Sequence, residues 1–250
     1  MSRSLRLVWL LVTVIALAGC TPASTVVDQQ RSIDTYVQLG LSYLGSGQRD
    51  QARFNLLKAM ELDRNSPAAL HAMALLYQSE GEVVLAEEHF RRALSQDRNF
   101  TQARMNYARF LYLEGRFANA RDEYLRVSQD ANYRLRPDAF VGLALSELRL
   151  GNTAVARVAL NRALTLNPTN ASALLEVAEL AWAENDIAGS RSSLDRYESV
   201  AQQTARSLWL GVRLAWANND ADRAASYGLA LLEIYPDSRE AGQYRLSMER

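Results

Sequence analysis

An all-α solenoid, made of six helix–turn–helix repeats in series and closed by a C-terminal capping helix, is the fold class this sequence predicts. Three observations carry the prediction. The first is a ruler of small residues at 52, 86, 120, 156, 190 and 224, spaced by 34, 34, 36, 34 and 34. The second is a turn residue five places before each of them: Gly47, Gly81, Gly115 and Gly151, then Asn185 and Asn219. The third is composition. Ala, Leu, Arg and Glu dominate, apolar residues recur at three and four, and no stretch alternates with period two over a useful length. One such unit cannot bury its apolar face alone, so the repeats must stack to make a continuous core.

The N-terminus precedes the array. Arg3 and Arg6 stand before an apolar run over residues 7–17 that is too short for a bilayer span, and Leu17-Ala18-Gly19-Cys20 follows. Residues 1–19 therefore read as a secretory signal. Their exit resembles the bacterial lipobox, in which cleavage leaves a lipid-bearing N-terminal cysteine, here Cys20, the one cysteine of the chain. By the same resemblance Thr21 in place of Asp implies delivery to the outer membrane, lipid-anchored on its periplasmic face. Residues 20–32 contain Pro22 and Ser24 and show no periodicity; they are expected to be the lipidated cysteine and a tether. A single cysteine excludes an internal disulfide.

Phased from residue 33, the repeats run 33–66, 67–100, 101–134, 137–170, 171–204 and 205–238. The 34-residue unit is that of a tetratricopeptide array, which implies a right-handed superhelix. Its eighth place calls for a small residue where paired helices approach, and Gly40, Ala74, Ala108, Ala144 and Ala178 supply it, with Val212 last. The ruler residues face that place from the second helix. Two extra residues, 135–136, predict a longer turn between repeats three and four. Residues 239–250 form the polar capping helix that such arrays require, with Asp237 or Ser238 as its cap.

First helices of such repeats line the concave face. The candidate protein-binding groove is Val37, Leu41 and Leu44 in repeat one, Met105, Asn106, Arg109 and Tyr112 in repeat three, and Val141, Leu145 and Leu148 in repeat four. Apolar groups at open positions suit a peptide partner; the same leucines serve equally well as packing between neighbouring helices. Asn106 and Arg109 do not by themselves make the lysine-and-asparagine clamp that some arrays use for C-terminal carboxylates. Trp182, Trp209 and Trp216 form a possible second patch, since Trp209 and Trp216 share a helix face; the competing reading is an aromatic-packed end of the array.

Lysine plus arginine and aspartate plus glutamate balance at 28 each, with no basic stripe, so no nucleic-acid partner is expected. His71 and His89 are eighteen apart, and no phosphate-cradling loop or nucleophile elbow occurs. No enzyme activity, metal or cofactor is expected.

Several stretches resemble one family in particular: Leu39-Gly40-Leu41-Ser42-Tyr43-Leu44, Asn55-Leu56-Leu57-Lys58-Ala59, and Ala86-Glu87-Glu88-His89-Phe90-Arg91-Arg92-Ala93-Leu94. Residues 103–112, Ala-Arg-Met-Asn-Tyr-Ala-Arg-Phe-Leu-Tyr, and the Asp130…Tyr133…Arg136 insertion resemble it too. The family is the type IV pilus biogenesis lipoproteins called PilW or PilF. The resemblance implies a pilotin: an outer-membrane lipoprotein that binds the pilus secretin and promotes its localisation and multimerisation, with other pilus assembly proteins as further partners. The alternative is an outer-membrane lipoprotein scaffold for peptidoglycan enzymes or outer-membrane protein assembly.

Overall fold

The computed structural model describes residues 23–249, so the leader, Cys20 and Thr21 lie outside the described residues. Thirteen α-helices and no strand occur among them. They are α1 (Ala23–Gly45), α2 (Arg49–Leu62), α3 (Pro67–Glu80), α4 (Val83–Gln96), α5 (Thr101–Leu113), α6 (Phe117–Gln129), α7 (Arg136–Arg149), α8 (Thr153–Leu166), α9 (Ala171–Ala183), α10 (Ile187–Val200), α11 (Ala205–Ala217), α12 (Ala221–Ile234) and α13 (Arg239–Met248). The chain forms two compact units, one ending at Ala103 and one beginning at Arg104. No described helix is long and apolar enough to cross a membrane.

The first unit shows why the small residues recur. A Cβ on Gly40 would lie 2.5 Å from Leu56 Cδ2, so only glycine lets α1 and α2 approach this closely. Around that approach Ile33, Val37, Ala52, Leu56, Ala59, Ala69, Ala72, Met73 and Leu76 form one buried cluster. Gly47 and Gly81 have φ of 74° and 78°, and the backbone N–H of Gln48 and Glu82 returns to Tyr43 O and Tyr77 O at 2.9 Å, closing the preceding helix. Ser66 caps α3 by accepting from Ala69 N–H, with Pro67 in the first helical turn. Asp63 and Asp97 shape the exits of α2 and α4 by accepting from the N–H two residues on, both at 2.8 Å. Arg53 of α2 pairs with Glu80 of α3.

One expectation needs correction. Residues 23–32 are not tether but the first turns of α1. The described side chains from 27 to 32 are exposed, and this stretch continues the helix ahead of the buried turn at Ile33 and Val37. Gln29 Nε2 also donates to Leu62 O at 2.7 Å, tying this extension to the end of α2.

His71, on α3, is buried against Phe100 (5.2 Å, edge-on) and Phe90 (6.1 Å). Burial lowers its pKa to about 4 from an ordinary 6.5. The unfolded chain therefore takes up the proton first. The stability this imidazole contributes is complete above pH 6.5 and is lost as pH falls toward 4, a swing of about 3 kcal/mol. Thermal melts of the native chain and of His71→Phe should diverge across that window, with the variant less acid-sensitive. Parallel acid curves would rule out His71 as the titrating group.

The second unit repeats the scheme with substitutions. Gly115 and Gly151 adopt φ of 73° and 83°, and Asn185 and Asn219 take the same left-handed place at 62° and 56°. Asparagine tolerates that conformation best among residues that carry a side chain. Asn170, Thr204 and Ser238 cap α9, α11 and α13, Thr204 in a reciprocal box with Ser207. Residues 130–135 make the lengthened connection: Asp130 Oδ1 accepts from Asn132 N–H at 3.0 Å, Arg136 N–H reaches Tyr133 O at 3.0 Å, and Arg136 Nε donates to Ser128 O at 2.6 Å. Glycine here makes room for tyrosine rings: a Cβ on Gly142, Gly211 or Gly228 would sit 2.4, 2.7 or 2.1 Å from Tyr124, Tyr227 or Tyr244.

Candidate functional site

The fold divides the expected groove residues by depth. Val37, Met105 and Val141, at the fifth place of their repeats, are 5%, 3% and 5% exposed. They are core, so the fifth place packs helices and does not present a surface. Leu41 and Leu44 are half-buried and pack onto the first unit's cluster. Asn106, Tyr112, Leu145 and Leu148 are half-buried, and Arg109 is exposed.

In the second unit these residues become a connected cluster. Tyr112 meets Phe117 edge-on at 5.2 Å across the α5–α6 turn, and the Arg149 guanidinium lies 4.2 Å from the Phe117 ring centre. Arg109, one turn before Tyr112, lies near enough to Tyr124 for its charge to act on the phenol. Burial pushes the Tyr124 hydroxyl up to about 12 against the pull of Arg109, so it stays a neutral phenol at physiological pH. Tyr133 is raised for the same reason, with Arg109 again opposing. The result is two arginines held by aromatic groups rather than by carboxylates. Phe117 was not singled out as a site residue, whereas Arg149 stands at the thirteenth place of repeat four, on the helix expected to line the groove. Both flank the Gly turns at 115 and 151, where a repeat's inner helix ends, and that spacing was the available signal.

A second arrangement joins α9 and α11. Arg206 binds Glu176 through both carboxylate oxygens (2.7 and 3.2 Å), and Arg213 binds Glu179 at 2.9 Å. The hydrogen bond to Glu176, partly opposed by burial, raises the Arg206 pKa. Arg213 is also stacked between indoles, 5.2 Å from Trp182 and 5.7 Å from Trp209. Trp209 meets Trp216 edge-on at 5.8 Å, and Trp216, 38% exposed, stacks on Tyr244 of α13 at 6.1 Å. The three tryptophans thus sit on one ladder whose rungs are ion pairs. Arg213 and Glu179 escaped the sequence reading, although opposite charges one 34-residue period apart were the cue.

Among the described residues no three His, Cys, Asp or Glu side chains converge as a metal-holding group. The tetratricopeptide-repeat models match residues 33–66, 71–137 and 141–206. Among curated proteins, the type IV pilus assembly protein PilF of Pseudomonas aeruginosa is 37% identical over 237 residues, covering 92% of this chain and 94% of that one. The chain belongs to the PilF family of type IV pilus assembly proteins. The solved structure of Pseudomonas aeruginosa PilF superposes with a TM-score of 0.81 at 38% identity, covering 88% of this chain and 99% of that chain. The crystal structure of PilW, a widely conserved type IV pilus biogenesis factor, shares the fold at a TM-score of 0.75 and 24% identity, over 84% of this chain and 97% of that one.

Proposed function

We propose that this chain is the pilotin of a type IV pilus system: an outer-membrane lipoprotein that binds secretin subunits and promotes their localisation and multimerisation. The observation that carries the reading is the match to a type IV pilus assembly protein along nearly the whole chain, PilF at 37% identity over 92% of it. Three features support it. The leader ends in a lipobox-like Leu17-Ala18-Gly19-Cys20, which suits a protein working at a membrane. The repeat array offers half-buried apolar and aromatic groups on inner helices, which suit a protein ligand. The arginine–aromatic packing holds those groups in fixed positions before any partner arrives, which lowers the ordering cost of binding. On this reading the anchor raises the local concentration of captured secretin where the ring must assemble.

The test is deletion in the native host. Heat-resistant secretin multimers on denaturing gels should give way to monomers, with loss of pilus-driven surface motility, and both should return on complementation. Normal multimers in the deletion strain would end the pilotin reading.

A further inference from the structure

We propose that the second unit carries a docking surface for an acidic segment of a protein partner, with Arg109 and Arg149 as its two cations and Tyr112, Phe117 and Leu145 as its apolar floor. The proposal deepens the pilotin reading by stating the chemistry of the partner segment, and it takes from that reading only the partner's identity.

Charge complementarity is the argument. Three other arginines on first helices of this unit are paired with carboxylates, Arg104 with Glu123 at 2.6 Å, Arg206 with Glu176 and Arg213 with Glu179, while Arg136 is taken up by Ser128 O and the Phe140 ring. Arg109 and Arg149 are exposed and differ in kind. Their described partners are a phenol and a phenyl ring, which orient a guanidinium without cancelling its charge. A guanidinium carries five N–H donors in a planar fork, so an exposed one has an edge for a carboxylate to meet bidentately. Two carboxylates near Tyr133 have hydrogen-bond partners of their own. Asp130 accepts from Asn132 N–H, and Asp138 accepts from Asn170 Nδ2 at 3.2 Å.

The floor decides the class of ligand. Leu145 lies one turn before Arg149 on the same face of α7, and Tyr112 and Phe117 bridge from Arg109 to Arg149. A lone phosphate has nothing to place on these rings and this leucine. A protein segment with aspartate or glutamate set among apolar residues satisfies both parts. A bilayer of anionic lipid is the competing source of negative charge, and vesicles are one arm of the test.

The experiment measures fluorescence anisotropy on the full chain in detergent. The probes are a labelled short peptide alternating Asp and Glu with Leu and Phe, and its Asn/Gln counterpart. The acidic probe should bind at least about tenfold tighter, with an affinity that falls as salt rises. Arg109→Gln with Arg149→Gln should remove that preference, whereas Arg162→Gln on α8 should retain it. Unchanged melting of the double variant shows that the fold is intact. Equal binding of the two peptides, or a preference that survives the double variant, overturns the proposal. So does Arg109-dependent capture by phosphatidylglycerol vesicles with no peptide binding. The purified periplasmic part of the secretin is then used as competitor. If it displaces the acidic probe, both readings stand. If the probe binds in an Arg109-dependent way and the secretin does not compete, the surface stands and the pilotin reading falls.

Discussion

Valine at Gly142 is expected to lower the unfolding free energy by about 3 kcal/mol and to loosen the packing of α6 on α7. Glycine inside a helix normally costs roughly 0.5–1 kcal/mol relative to alanine, so a substitution in α7 would ordinarily be stabilising. Here the sign reverses. The nearest atoms to a Cβ at 142 belong to the Tyr124 ring, at 2.4 Å, and that ring is only 5% exposed, so it has nowhere to swing. Either α7 moves away from α6 or Tyr124 leaves its place, and the second outcome also takes the phenol away from Arg109. For a chain of this size the melting temperature should fall by roughly 6–12 °C. The cause is separable by a double-mutant cycle. In a Tyr124→Ala background, Gly142→Val should be nearly neutral, giving a coupling of about 3 kcal/mol. Additive effects would mean that the glycine serves backbone freedom and not the ring.

That pair shows what was legible in the sequence and what was not. The ruler at 52, 86, 120, 156, 190 and 224 is a statement about close approach, and these side chains are all buried, from 0% to 2% exposed. The turns were equally readable, because the left-handed conformation admits few residue types, and Asn185 and Asn219 fill it where glycine is absent. Gly142 lies outside the ruler. It answers a tyrosine eighteen residues earlier, and a single exchange of volume between two helices leaves no period to detect. Depth was the other blind spot. The fifth and ninth places of an inner helix lie on one side of it, so hydropathy does not separate the core residue Met105 from the exposed Arg109; only the neighbouring helices decide which is covered. Ion pairs across repeats, such as Arg213–Glu179, are periodic in sequence but ambiguous, since opposite charges one repeat apart also occur on solvated faces. The tether expectation failed for a related reason: α1 begins well ahead of Ile33, the first buried side chain among the described ones, and residues 27–32 before it are all exposed.

A variant exported by an ordinary cleavable leader and beginning at Thr21, without Cys20, is expected to move from the membrane fraction to the soluble fraction and to leave secretin multimers strongly reduced. The argument is additive in acyl carbons. Each buried methylene contributes about 0.8 kcal/mol, one chain holds a protein only reversibly, and two or more hold it for practical purposes permanently. The described residues contain no helix able to replace such an anchor. Simple Cys20→Ser within the native leader is the weaker test, because an uncleaved apolar leader can itself keep the chain at a membrane. Binding and anchoring then separate cleanly. The soluble variant should retain full affinity for the secretin in solution, since the arginine–aromatic surface of the second unit lies more than eighty residues beyond the cysteine, whereas multimer assembly should fall with the lost local concentration. Retention in carbonate-washed membranes would refute the lipid anchor. Undiminished multimers from a fully soluble variant would show that capture, and not placement at the membrane, limits assembly.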